Sequence, residues 1–121
     1  MIETSCWQGI MTDTSLSTFD DKNFADMVLS RQGVTVVDFW STTCSPCRQL
    51  TKILCQLRAY VPDDVLIGQV DADKNPGLMR QFGVRSLPTL LFIRNGNVVE
   101  TRIGVDRRQV LKKIIETHAR D

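Results

Sequence analysis

The residues best placed to do chemistry in this chain are Cys44 and Cys47, two thiols flanking the dipeptide Ser45-Pro46. At that spacing two cysteines either close a disulfide on each other or supply half of a tetrahedral zinc site. Zinc needs two more ligands, and the sequence offers no second C-x-x-C and no Cys-His or His-His pair; the single histidine, His118, stands near the C-terminus. No metal is expected, and thiol–disulfide exchange is. Of the other two cysteines, Cys55 falls eight residues after Cys47. That places it about 12 Å along a helix, too far to join the pair without rearrangement. Cys55 is read as a small helix-packing residue, and Cys6 as a thiol of a solvent-exposed N-terminal arm.

Which sulfur attacks depends on where the pair sits. Val34-Thr35-Val36-Val37-Asp38-Phe39-Trp40 is β-branched and aromatic on both faces, the composition of a central strand covered by helices on both sides. Pro46 suits the first position of the helix that follows. The dithiol then lies at the C-terminal end of a central strand, where sites in open α/β sheets collect. Unpaired N–H groups and the positive end of the helix dipole favour a thiolate over a thiol at Cys44, the expected nucleophile. Cys47, one turn into the helix and more buried, can reach the first sulfur and is the expected resolving thiol.

Asp38 breaks the apolar pattern of its strand. Burial would raise its carboxyl pKa and make it a proton carrier for a nearby thiol, whereas a place at the strand edge would leave an ordinary solvated aspartate. With the dithiol six residues on, the first reading is preferred. Pro88 precedes Thr89-Leu90-Leu91-Phe92 and must lie at a strand start or in a tight turn, cis or trans.

The elements that position these residues follow from periodicity. Leu16 to Phe19 alternates like a short edge strand, and Asp20 or Asp21 could cap a helix through Phe24, Met27 and Val28 that ends at Gly33. Leu50, Ile53, Leu54 and Leu57 keep helical spacing as far as Pro62. Residues 65–70 read as a second buried strand parallel to the first, which makes a right-handed βαβ unit. Asn75-Pro76 suggests a cap and first-turn proline for a short helix through Leu78, Met79 and Phe82, stopping at Gly83. Thr89 to Arg94 and Asn97 to Ile103 flank Asn95-Gly96, a two-residue hairpin turn, and Gly104 interrupts the pattern. Asp106 could cap a last helix with Val110, Leu111, Ile114 and Ile115 on its inner face. The order β-α-β-α-β-α-β-β-α predicts an α/β fold, a mixed central sheet of about five strands with helices on both faces. Residues 1–14 show no sustained periodicity and read as a flexible N-terminal extension, leaving 15–121 as one domain.

Composition excludes several classes of function. At 121 residues the chain has room for one core. The 15 basic and 14 acidic residues leave a formal net charge of +1, with no basic stripe to track phosphates, so nucleic acid is not an expected partner. The longest apolar runs, such as Leu90 to Ile93, are strand-sized, so no membrane is expected either. The first residues carry an acid and no basic region before a short apolar stretch, unlike a secretory signal, and a reducing, cytoplasmic setting is expected.

Taken together the chain resembles the thioredoxin family. The resemblance is carried by Val-Asp-Phe-Trp at 37–40, Cys-Ser-Pro-Cys at 44–47, Asp73-Lys-Asn-Pro-Gly77, Leu87-Pro88-Thr89, Asn95-Gly96 and Gly104, in that order. A C-x-x-C beside a βαβ unit is itself a mark of that family. The resemblance implies the thioredoxin fold, attack by Cys44, resolution by Cys47, and a buried acid at Asp38 that handles the proton of the second thiol. It makes Pro88 a cis-proline facing the dithiol and Leu87 the backbone partner of an extended substrate segment. Gly104 and Val105 become the third side of the groove, and Thr43, Ser45 and Pro46 complete the substrate-binding surface. It also implies no cofactor beyond the redox-active Cys44–Cys47 disulfide, disulfide-containing proteins as substrates, a thioredoxin reductase as electron donor, and a monomer.

Some positions depart from the family pattern. Ser45 replaces the usual glycine before Pro46 and alters backbone freedom near the sulfurs. Thr43 stands where a tryptophan is usual, and Lys52 where a proline usually kinks the helix. Gln69 stands where a lysine often pairs with the buried acid, which should leave the Asp38 carboxylate less stabilised and its pKa higher. The expected activity is a protein dithiol-disulfide oxidoreductase acting through a mixed disulfide. Two other readings stay open on sequence: a redox-inert docking module on the same fold, and a disulfide oxidase or isomerase with a shifted redox potential.

Overall fold

The apolar runs become a five-stranded mixed sheet in a computed structural model of the chain, which describes residues 16–120. The strands are β1 (Ser17–Phe19), β2 (Val34–Trp40), β3 (Leu66–Asp71), β4 (Thr89–Arg94) and β5 (Asn97–Ile103), in the order β1-β3-β2-β4-β5. The helices are α1 (Ser45–Leu57), α2 (Pro76–Gln81) and α3 (Arg108–Ala119). β2 runs parallel to β3 and antiparallel to β4, and β1 lies at one edge against β3, as its short alternating pattern predicts.

Two apolar clusters hold the layers together. Val36, Leu90 and Phe92 of the sheet pack with Leu50, Leu54 and Leu57 of α1 and with Leu111 and Ile115 of α3. On the other face Val37, Phe39, Val70, Leu91 and Ile93 pack with Phe24, Val28 and Leu78. The strand period of two sends neighbouring residues of β2 to opposite clusters. Both faces are therefore covered, and Val34–Phe39 is buried throughout.

Several ends form differently from their local signals. The first expected helix is reduced to a wide, π-type turn over Ala25–Leu29, entered through Asp20, whose Oδ1 accepts from the N–H groups of Lys22 and Asn23 at 2.8 Å. Pro46 is the second helical residue rather than the first, because α1 begins at Ser45. Asn75 precedes α2 but does not cap it. Its side chain accepts from the Asp21 N–H and donates to the Asp71 carbonyl, both at 2.9 Å, while Asp21 Oδ1 accepts from the Leu78 N–H at 3.2 Å. The cap oxygen of α2 thus comes from a residue remote in sequence. Asp106 does not cap α3 either, since Arg102 holds both its oxygens at 2.9 and 3.2 Å. A guanidinium fork outcompetes neutral amide donors for a carboxylate.

The Asn95-Gly96 turn is as expected, with positive φ at both residues (52° and 85°). The proposed extension over 1–14, and Cys6 within it, lie outside the described residues. Among the described residues no helix is long and apolar enough to cross a membrane.

Gly68 sets how closely β1 approaches β3. A Cβ there would run into the Phe19 ring and lie 2.9 Å from the Ser17 carbonyl oxygen. Gly68→Ala is expected to destabilise the fold by about 2 kcal/mol, read as a lower denaturant midpoint at unchanged slope. An unaltered midpoint would mean that the Phe19 ring swings clear at no cost.

Candidate active site

β2 ends at Trp40, and the turn that follows delivers Cys44 to the N-cap of α1. Cys44 and Cys47 are joined by a disulfide, their Cα atoms 5.2 Å apart. The Cys47 backbone N–H donates to Cys44 Sγ at 3.2 Å, so the sulfur itself serves as the capping acceptor. That contact, with the helix dipole behind it, favours negative charge on Cys44 over Cys47. Cys44 is half-buried, whereas Cys47 is 1% exposed. Arg48, which the sequence analysis passed over, donates to the Thr42 carbonyl at 3.3 Å and to Ser45 Oγ at 3.2 Å. Its spacing of three from Ser45 on a helix was the available signal.

Asp38 shares the strand parity of Val34 and Val36, so it points to the face that α1 and α3 cover. It is fully buried, paired across the sheet with Gln69 of β3 and Leu90 of β4, and the solvated strand-edge alternative is set aside. Oδ2 accepts from Gln69 Nε2 at 3.0 Å, and Oδ1 has no hydrogen-bond partner among the described residues. Loss of water pushes the carboxyl up to about 7 from its ordinary 3.8, opposed in part by the Gln69 hydrogen bond. Gln69 is buried too, and the same Nε2 donates to Thr51 Oγ1 at 2.8 Å. Thr51, also passed over in sequence, sits one turn after Cys47, the spacing that puts both on one helix face.

Strand register gathers the remaining expected residues. Thr89 pairs with Phe39 on one side and with Ile103 on the other. Pro88 therefore lies beside the end of β2 from which the dithiol turn departs, and Gly104 lies beside Pro88. The Pro88 carbonyl accepts from the Gly104 N–H at 2.9 Å. The Leu87–Pro88 peptide is cis, the isomer that the family resemblance implies and that the local residues alone left open. Pro88 is buried, Leu87, Gly104 and Val105 are half-buried, and Thr43, Ser45 and Pro46 are exposed around the sulfurs. Cys55, half-buried against the cluster under α1, is disulfide-bonded, which corrects its reading as a simple packing residue. A cavity of about 570 Å³ beside Trp40, Thr18, Asp21 and Lys74 includes none of the expected site residues. Among the described residues no group of three or more metal-ligating side chains gathers.

A family model described as Thioredoxin matches residues 15–117. The chain belongs to the thioredoxin family. It is 35% identical over 98 residues to a thioredoxin of Chlorobaculum thiosulfatiphilum, which covers 81% of this chain and 91% of that one. It is 38% identical over 84 residues to a thioredoxin of Rhodospirillum rubrum (69% and 81% covered) and 34% over 87 residues to that of Bacillus subtilis strain 168 (72% and 84%). With its two cysteines within bonding distance, this thioredoxin-family protein is a dithiol-disulfide oxidoreductase, and the redox-inert reading falls away.

The raised pKa of Asp38 makes stability depend on pH. A group easier to protonate in the fold than in the unfolded chain contributes fully below about pH 3.8; that contribution is lost as pH rises to about 7 and then stays lost. The interval corresponds to about 4 kcal/mol. Asp38→Asn is expected to match the wild type near pH 4 and to exceed it by a few kcal/mol near pH 8, as measured by denaturant unfolding at both values. Equal stability of the two proteins at the higher pH would contradict the burial cost assigned to the carboxylate.

Proposed function

We propose that the protein reduces disulfides of other proteins by a two-step exchange in which Cys44 attacks and Cys47 resolves. The observation that carries this reading is the cap geometry, an outward Cys44 sulfur receiving a helix N–H at 3.2 Å above a buried Cys47. In the reduced protein the Cys44 thiolate attacks one sulfur of the substrate disulfide; that bond breaks and the other sulfur leaves as a thiolate. Cys47 then loses its proton and attacks Cys44 Sγ. The Cys44–Cys47 bond forms, and the second substrate sulfur leaves with the electron pair of the broken mixed disulfide. Asp38 is the proton carrier in this step, since a carboxyl that titrates near pH 7 can both take and return a proton under neutral conditions.

Thr43, Ser45, Pro46, Leu87, Pro88, Gly104 and Val105 form the substrate surface, with the Leu87 backbone pairing an extended substrate segment. A reductase of the thioredoxin reductase class returns the two electrons. The protein works as a cytoplasmic monomer without a cofactor beyond its own disulfide, on proteins rather than on nucleic acid or membranes. Residues 15–121 form the catalytic domain and 1–14 an extension outside it. Arg48, bonded to Ser45 next to Cys44, is a cation beside the dithiol turn, which supports an oxidase or isomerase as a second reading; a measured redox potential separates the two.

Cys47→Ser is expected to accumulate a mixed disulfide through Cys44 on incubation with disulfide-bearing proteins, and Cys44→Ser to accumulate none, as seen by mass mapping of trapped adducts. In the fully reduced wild type, Cys44 is expected to alkylate at least about tenfold faster than Cys47 at neutral pH. Faster labelling of Cys47 would exchange the two roles.

A further inference from the structure

Gln69 is a branching donor inside the fold. One hydrogen of its Nε2 goes to Asp38 Oδ2 at 3.0 Å and the other to Thr51 Oγ1 at 2.8 Å. Thr51 has one hydroxyl hydrogen of its own, which goes to the Cys47 carbonyl at 3.0 Å, one helical turn back. Every hydrogen in the chain is thereby committed, and each bond has a fixed direction. Thr51 accepts from Gln69 because its own hydrogen is engaged on Cys47. A flipped amide would set its carbonyl oxygen against the Asp38 carboxylate and could keep Thr51 only by drawing its hydroxyl hydrogen off the Cys47 carbonyl, so the network favours this amide orientation.

That orientation has a consequence at Asp38. With Oδ2 occupied, the carboxyl cannot rotate freely, and its other oxygen, Oδ1, is buried with no partner among the described residues. A partnerless oxygen in the interior is costly and rare, and strand parity puts the Asp38 side chain on the side of the sheet that α1, with Cys47, covers. We propose that Gln69, oriented by Thr51, is a positioning residue for the resolving step: it occupies Asp38 Oδ2 and so reserves Oδ1 for the proton of Cys47. The proposal rests on the proton-carrier reading of Asp38 given above.

The step balances without a further reactant. Cys47 Sγ–H gives its proton to Oδ1 of ionised Asp38, and the electron pair left on sulfur forms the bond to Cys44 Sγ. The bond between Cys44 and the substrate sulfur breaks, its pair leaves on that sulfur, and the proton passes from Asp38 to the departing thiolate or to water. Gln69 acts through hydrogen-bond direction and not through charge. Across the sheet Asp38 meets Gln69 and Leu90; among the described residues of α1, Cys47 is buried and the disulfide-bonded Cys55 half-buried on the Thr51 face, and Arg48 and Lys52 are exposed. Burial and the Gln69 hydrogen bond are the causes that set its ionisation.

The test follows the two phases in which the reduced protein consumes an aromatic disulfide with a coloured leaving thiolate: attack by Cys44 releases the first equivalent, and resolution by Cys47 the second. Stopped-flow traces across pH are compared for wild type, Thr51→Val, Thr51→Ser, Gln69→Lys and Asp38→Asn, with thermal unfolding of each variant as the check on folding. Thr51→Val is expected to slow the second phase about tenfold more than the first and to move the midpoint of its pH profile upward. Thr51→Ser, which keeps the hydroxyl, is expected to restore both. Gln69→Lys is expected to move the midpoint down by about one pH unit, since a cation replaces a neutral donor. If Asp38→Asn slows the second phase while the Thr51 and Gln69 variants leave its rate and midpoint at wild-type values, the positioning role is overturned and the carrier role stands. If Asp38→Asn leaves the second phase as it was, the carrier role fails and the positioning role fails with it.

Discussion

Removal of water from one carboxyl group is the constraint on which the interior of this protein turns. β2 lies between two helical layers, so any polar side chain on it must be satisfied by neighbours or carry the cost of desolvation. Among the described residues Asp38 is satisfied on one oxygen alone. Among the same residues its hydrogen-bond partner is a buried neutral amide, not a cation. The fold therefore keeps a group that titrates near neutrality at the expense of stability above about pH 7, a trade seen where chemistry needs a proton acceptor in a dry site.

The helix that helps to desolvate Asp38 also carries the dithiol at its N-terminus. α1 starts just beyond the end of β2, its Cys47 N–H donating to Cys44 Sγ, and its inner face lays Cys47, Leu50 and Leu54 over the sheet. One element thus brings a helix N–H to one sulfur and raises the proton affinity of the buried acid on the sheet it covers. Both effects arise from one placement because the helix presents a polar end to Cys44 and an apolar flank to Asp38.

The departures from the family pattern acquire a physical meaning in this setting. Lys52, where a proline is usual, is exposed, and α1 runs without a break from Ser45 to Leu57. An unbroken first half of the helix lets Thr51 bond back to the Cys47 carbonyl, which engages its hydroxyl and presents its lone pair to Gln69. Thr43, where a tryptophan is usual, is exposed beside the sulfurs and leaves that rim small and polar. The interior acid and the outer surface are therefore altered independently, one through hydrogen bonds and the other through the shape offered to a partner.

Signals confined to a few consecutive residues were legible in the sequence. The apolar run of Val34–Trp40, the helical spacing of Leu50, Leu54 and Leu57, the Asn95-Gly96 turn and the cysteine pair opening a helix each carry their physics locally, and the strands, the hairpin and the dithiol stand where those signals put them. The oddity of Asp38 in an apolar strand was also visible, and so was the absence of a cationic partner at Gln69. Features that depend on which side chains meet across elements were not. Asp21 caps a helix more than fifty residues away, and Arg102 withdraws Asp106 from the cap its position suggested. Likewise Thr51 looked like an ordinary helix residue until β3 brought Gln69 beneath it. A carboxylate, an amide or a hydroxyl has several donors or acceptors within reach along its own chain, and the competition among them is decided by distance and desolvation, which exist only once the layers have packed.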